Sequence, residues 1–309
     1  MSAKKKSHPI LTALRQATQE TRDECLMPPP PNVLYHYTTL QSFISILDSQ
    51  SLWATDIRVL NDRSELDYGL KEAIKIYVEM LGSHDVHKSN DKTMFDTVVD
   101  ILVNRRDEIT SHFYVTSFSA EKNQLEQWRA YCRDGGVCFG LRAADVYARQ
   151  GSHFDIIKCI YDEKLMKKEL RILIGKIVHK ICKIESGENM NDCEEMTPNN
   201  CAYVIARVLC SAALCYKKTE FAHEQEYRLV ALPPASRNGI RATRLRMGEN
   251  MAKPYFANPI AINDEHAVKM THVTISPTLS RDTVQSIKRL KPEFLDKNCR
   301  VVQSRLPLR

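Results

Sequence analysis

The chain has 309 residues, 43% of them hydrophobic and 27% charged, enough to bury a sizeable core in one large domain or two small ones. It carries a net charge of +6 and has no apolar run of the roughly 18 residues that a membrane helix needs, so no spanning helix and no membrane partner are expected. Ten cysteines occur without one CxxC pair, which gives a cysteine-built zinc site no support; the thiols suit a reducing, cytoplasmic setting as small buried hydrophobes.

Residues 9–25 read as an amphipathic helix, and the basic stretch before it has an apolar part too short and too interrupted for a signal peptide. PPPP at 28–31 breaks that helix and forms a stiff linker, so 1–31 is an appendage. Val33 to Tyr37 reads as a strand. Thr38 with Gln41 gives a capping box, and Leu40, Phe43, Ile44 and Leu47 fall on one face of the helix that follows. SLWA is a second strand; Asp62 with Glu65 opens a helix with Leu66, Leu70, Ala73, Ile74, Tyr77 and Leu81 on its apolar stripe, ended by Gly82.

A helix is expected over about 92–109, then a strand in HFYVTSFS, a short helix in NQLEQWRAYC, and strands in VCFGL and FDIIKCIY. Two long helices, about 162–184 and 198–217, form an insertion at about 162–217. Strands return in EYRLVAL, IRATRLRM, KPYFANPI and HVTIS, and a last helix runs from about 281 to 291. Without regular βαβ alternation this is an α+β domain over 32–309, with mixed or antiparallel sheets flanked by helices. There is no GxGxxG and no GxxxxGK[ST], so Rossmann and P-loop readings have no support.

Three strands carry the polar residues that chemistry could use. In LYHYT, Tyr35 and Tyr37 face one way, His36 and Thr38 the other; a satisfied buried histidine and one wall of a ligand pocket are both open. In YVTSFS, Ser117 and Ser119 share a face and suit either ligand hydrogen bonds or a strand edge, while Trp128 on the next helix suits packing. In HEQEYRLV, Glu224, Glu226 and Arg228 alternate onto one face, with Tyr227 on the other; the carboxylates repel unless a cation or ligand separates them, and Arg228 would serve as a structural partner.

Val33 to Glu65, SFS with QWRAYC and GVCFGL, and HEQEYRLV, in that order, resemble the uncharacterised bacterial domain-of-unknown-function family 2971 over roughly 33–290. The motif order also resembles that of ADP-ribosyltransferase folds, which carry a His or Arg, a polar or aromatic element, and a Glu on three successive strands. That resemblance implies NAD as substrate, with Glu226 and Glu224 as catalytic carboxylates, Glu226 steadying an oxocarbenium-like transition state. It implies a cofactor-binding set of His36, Tyr35, Tyr37, Thr38, Ser117, Ser119 and Tyr227, with Arg58, Arg63 or Arg129 on the pyrophosphate. It further implies a bacterial toxin or anti-phage effector acting on a nucleic-acid or protein acceptor, under an antitoxin-like restraining partner, or NAD hydrolysis without an acceptor. This chain mixes the patterns, with His36 on the first strand and ExE on the third.

The competing class is a non-catalytic module that binds a nucleotide or nucleic acid through basic segments. Arg237, Arg241, Arg244, Arg246 and Lys253 face only Glu249, and the tail from Leu279 carries Arg281, Lys288, Arg289, Lys291, Lys297, Arg300, Arg305 and Arg309 against three acids. A solvated surface would show the same pattern. A metal-dependent nuclease would draw on His84, Asp85 and His87, which lack a second cluster.

Overall fold

The computed structural model describes residues 16–17, 20–21, 24, 29–60, 63–83, 89–132, 135–150, 154–185, 198–231, 243–247, 252–259, 268–289 and 294–307. The chain divides into two compact units. The first takes in Met1–Pro28, Asp62–Ser111 and Ile160–Thr219; the second takes in Pro29–Asn61, His112–Cys159 and Glu220–Arg309.

The first unit is helical where described, with long helices over Arg63–Ser83, Ser89–Val103, Glu163–Glu185 and Pro198–Ala213. Buried Leu66, Leu70, Ala73 and Tyr77 recur at the three- and four-residue spacing of one helix face, and Ile76 joins them. Gly69 is where this helix meets the chain at Ala213: a Cβ there would lie 2.3 Å from the Ala213 carbonyl oxygen, so any side chain would force the two apart. The buried Lys217 ammonium is neutralised by Glu65 at 2.9 Å. The helix expected over 92–109 is two, Ser89–Val103 and Arg106–Thr110, interrupted at Asn104 and Arg105.

The second unit is built on a ten-stranded mixed sheet. Its strands are β1 (Val33–Thr39), β2 (Ser51–Asp56), β3 (Tyr114–Ser119), β4 (Gly136–Arg142), β5 (Phe154–Lys158), β6 (Glu226–Ala231), β7 (Arg244–Met247), β8 (Ala252–Pro259), β9 (Met270–Ile275) and β10 (Leu295–Gln303). The main path runs β10-β9-β4-β1-β3-β2-β8-β7, and β6 lies between β3 and β5. The α+β expectation therefore holds. Among these ten strands only β9 and β10 pair in parallel, joined through the helix Arg281–Lys288 as a parallel pair requires.

One sheet face is the main core. Leu34, Phe118, Phe139, Leu141, Tyr227, Leu229, Val273 and Ile275 pack there against Phe43, Ile46 and Leu47 from the helix Leu40–Ser49 and Val284 and Ile287 from the helix Arg281–Lys288. The helix Leu40–Ser49 departs from the sequence expectation in two places. Its cap is Thr39, whose hydroxyl accepts from the Ser42 amide, because β1 runs on to Thr39 and keeps Thr38 paired with Val137. Ile46, not Ile44, fills the core, and Ile44 is 43% exposed.

Candidate functional site

Cross-strand register decides which of the singled-out residues meet. Antiparallel partners point to the same side of a sheet. Tyr35 is opposite Ser119, and Ser119 is opposite Glu226, with Ser117 opposite Arg228. Tyr35, Tyr37, Ser117, Ser119, Glu226 and Arg228 therefore share one face. His36 is opposite Phe139 and packs edge-on between Phe118 and Phe139, with ring centroids 5.7 and 5.3 Å away. It lies on the core face with Thr38 and Tyr227, on the far side of the sheet from Glu226. The expected set of His36 and Ser117 around Glu226 is corrected: the alternation within β1 and β3 is as expected, but the register puts His36 on the face opposite Ser117 and Glu226.

Each of these residues has a local structural task. His36 donates from Nδ1 to the Ser117 carbonyl at 2.8 Å, which places its proton on that nitrogen. Burial pushes its pKa down to about 4, so it is a neutral ring in the core. Tyr227 lies opposite Phe118 in the same core. Arg58 is closed on the buried carboxylate of Asp56 at 2.6 Å, a partner that competes with any pyrophosphate. Arg129 is exposed on the helix Leu125–Tyr131, and the side chain of Arg63 and the trio His84, Asp85 and His87 lie outside the described residues. Among the described residues no cluster of metal-ligating side chains forms. Cys132, Cys138, Cys159, Cys201, Cys210 and Cys215 are buried, as small apolar residues would be.

Glu224 and Glu226 do not alternate along one strand. β6 begins at Glu226, and Gln225 before it has φ +44, a left-handed kink that breaks the two-residue period. Glu226 is fully engaged: Arg228 Nε donates to Oε1 at 2.9 Å and Arg228 Nη2 to Oε2 at 3.0 Å, with both side chains at most 7% exposed. The Cys159 thiol reaches Oε2 at 3.6 Å. Glu224 is also buried, and its carbonyl accepts from the Ser119 hydroxyl at 2.8 Å.

The tyrosines of LYHYT lead towards a different place. The Tyr37 hydroxyl donates to the Glu121 carbonyl at 3.0 Å and accepts from the Gln124 amide at 2.9 Å. Ser119 Oγ accepts from the Glu121 amide, and Trp128 Nε1 donates to Asn123 Oδ1 at 3.0 Å. The turn 121–124, with Asn123 at φ +63, is thereby pinned at both ends, and it presents Lys122. Tyr35 leans across Gly140, where a Cβ would come within 2.9 Å of its ring, and meets His272 edge-on at 6.0 Å.

His272 and Lys122 are two walls of a groove of about 740 Å³. Thr274, Lys288 and the run from Arg300 to Arg305 complete it, and among the described residues no acidic side chain lines it. Lys122, Lys288, Arg300 and Arg305 come from the turn after β3, the end of a helix, β10 and the segment beyond β10. None of the four forms an ion pair with a described residue. Their field is felt inside the groove: the pKa of His272 is held below its ordinary value by burial first, then by Lys122 and Arg300. Lys288, Arg300 and Arg305 belong to the basic tail noted in the sequence. Lys122, His272 and Thr274 did not stand out there, because nothing in a single sequence says that a turn after β3 and the middle of β9 meet.

An α+β chain whose sheet unit ends in a cation-lined groove is the class that this geometry defines. Residues 127–229 match the model of a family described as Protein of unknown function (DUF2971), which bears out the resemblance to domain-of-unknown-function family 2971. The matched span holds Trp128, all of β4 and β5, and the Glu226–Arg228 pair. No curated protein and no solved structure matches the chain. No helix among the described residues is long and apolar enough to cross a membrane.

Proposed function

We propose that the sheet unit is a binding module for a phosphate-bearing ligand, a nucleotide or nucleic acid, held in the groove between Lys122, His272 and Arg300. The observation that carries this reading is the convergence of four cations from three chain segments on one concavity with no acid among the described residues of its lining. Like charges gathered on one concavity repel one another unless an anion offsets them. Guanidinium forks and ammonium groups are the side chains that hold phosphate oxygens. A reducing, cytoplasmic setting is the part of this proposal that the many thiols support.

The NAD-dependent transferase, with its acceptor and its antitoxin-like restraint, asks for a histidine and a carboxylate on one ribose. His36 and Glu226 lie on opposite faces, and Glu226 is occupied by Arg228. The binding module is therefore the better supported of the two classes. The test is a calorimetric titration of the full chain with ADP, NAD and inorganic tripolyphosphate at low salt, with nicotinamide release followed in parallel. Binding that weakens with salt and is lost in Lys122→Glu and Arg300→Glu supports the module. Steady nicotinamide release that survives both substitutions and is lost in Glu226→Gln, with its fold intact, would replace it with the transferase.

A further inference from the structure

We infer that the ligand of this groove is a single strand of nucleic acid lying along β10, with a base against the Tyr35–His272 ring pair. The inference rests on the phosphate-binding reading and narrows it by shape. The lining includes every residue from Arg300 to Arg305, so the groove tracks the end of the edge strand. At about 3.3 Å per residue the stretch Arg300–Gln303 of β10 is roughly 10 Å long, and Arg305 lies beyond its end. A single phosphate group cannot lie along the whole of that length. A chain of phosphates can, and it also passes Lys122 and Lys288 on the way.

A duplex is a poor fit for the same site. Proteins read a duplex by inserting a helix or a two-stranded ribbon into its grooves. Here the cations line a concavity, into which a strand must enter. Single-strand sites combine a cationic groove with rings on which bases stack. Tyr35 and His272 supply these rings: both are half-buried, set edge-on at 6.0 Å, and His272 lines the groove itself. Gly140 between their strands leaves the space that Tyr35 needs. A membrane surface would be met by a flat or convex basic patch, with no use for a concavity.

The experiment is a fluorescence-anisotropy titration of the full chain with a labelled oligothymidine of about twelve nucleotides, with a duplex of the same length, and with vesicles containing phosphatidylserine, all at low salt. The expected result is binding of the single strand at least about tenfold tighter than the duplex. Lys122→Glu, an exposed turn position, and the double variant Arg300→Glu/Arg305→Glu should each weaken it by about tenfold or more, and Tyr35→Ala should weaken it by roughly fivefold to a hundredfold as a lost stacking ring. Equal binding of single strand and duplex, or tripolyphosphate binding with no oligonucleotide binding, would overturn the inference while leaving the phosphate groove in place. Vesicle binding without oligonucleotide binding would overturn it in favour of a lipid surface. Oligonucleotide binding unchanged in both charge-reversal variants would overturn it and the groove together.

Discussion

Glu226 and Arg228 form a closed, buried pair, with two hydrogen bonds of 2.9 and 3.0 Å running from one guanidinium to one carboxylate on the same face of β6. The pair spans the two-residue strand period, so the backbone itself sets its geometry. Removing one partner strands the other charge in the interior, which costs about 3–5 kcal/mol, whereas replacing both with apolar residues of similar volume is often neutral. Glu226→Gln is therefore expected to lower the unfolding midpoint in denaturant strongly, and Glu226→Leu/Arg228→Met to recover most of the loss. Equilibrium denaturation of the three proteins checks this; a stable Glu226→Gln with unchanged midpoint would mean that the carboxylate has no structural role.

His36 gives the fold a pH dependence of known sign. Its pKa falls from 6.5 to about 4 on folding because burial disfavours the charged ring. The unfolded chain thus binds more protons between these values, and stability drops as pH falls from about 6.5 towards 4. The shift corresponds to on the order of 3 kcal/mol across that window. His36→Phe keeps a ring between Phe118 and Phe139 and removes the titration. Its denaturation midpoint should change less with pH than that of the parent over the same window, and parallel curves would assign the acid sensitivity elsewhere.

Strand faces were legible in the sequence; their mutual alignment was not. The alternation that separates Tyr35 and Tyr37 from His36 and Thr38 follows from the two-residue period alone and is what the structure has. Which face of β3 meets which face of β1 depends on register, fixed here by Tyr35 opposite Ser119 and invisible to any periodicity. Thr38 and Thr39 offer the same cap chemistry, so the cap slipped by one residue. Gln225 carries no turn signature, yet its positive φ separates Glu224 from the strand. β10 escaped because LDKNCRVVQ is charged and half-exposed, as an edge strand is. The groove depends on that strand, so only its tail cations could be noticed, as a charge excess without a shape.

His272 should couple ligand binding to protons. In the free protein Lys122 and Arg300 add to burial in keeping its pKa below the ordinary 6.5. The groups around it are Tyr35, a phenol whose pKa is raised by burial, and Thr271, whose hydroxyl meets Nδ1 at 3.1 Å. A bound phosphate offsets the two cations and accepts a hydrogen bond, both of which favour the imidazolium. Affinity for an oligonucleotide is then expected to rise as pH falls through the histidine range, with uptake of a proton on binding. Internal phosphodiesters do not titrate there, so the ligand itself contributes nothing to the slope. His272→Gln should flatten the profile of Kd against pH, and an unchanged profile would place the coupling on another group.

Salt should report how many of the groove's cations meet phosphate. For a single strand the logarithm of affinity falls by about 0.7 for each tenfold rise in salt per neutralised phosphate, so four contacts give a slope of about −3. Lys122→Ala should reduce it by about 0.7, and Lys288→Ala by the same amount. A slope near zero in the parent protein would leave the four cations as a solvated surface.

Tyr37 joins the LYHYT strand to the groove without touching it. Its hydroxyl holds the turn 121–124 through the Glu121 carbonyl and the Gln124 amide, while its ring is fixed edge-on against Trp128 at 5.4 Å. Tyr37→Phe keeps the ring contact and removes both hydrogen bonds, leaving the two backbone groups without that partner. A loss of about 1–3 kcal/mol in stability is expected. The turn should also become less ordered, so that Lys122 must be immobilised on binding; this corresponds to a roughly twofold to tenfold fall in affinity for the oligothymidine. The two effects separate in a double-mutant cycle. If Tyr37 acts by positioning Lys122, Tyr37→Phe weakens binding in the parent and has little further effect once Lys122 is alanine, while its stability cost is the same in both backgrounds. Equal losses of affinity in both backgrounds would show that Tyr37 acts on the groove by another route.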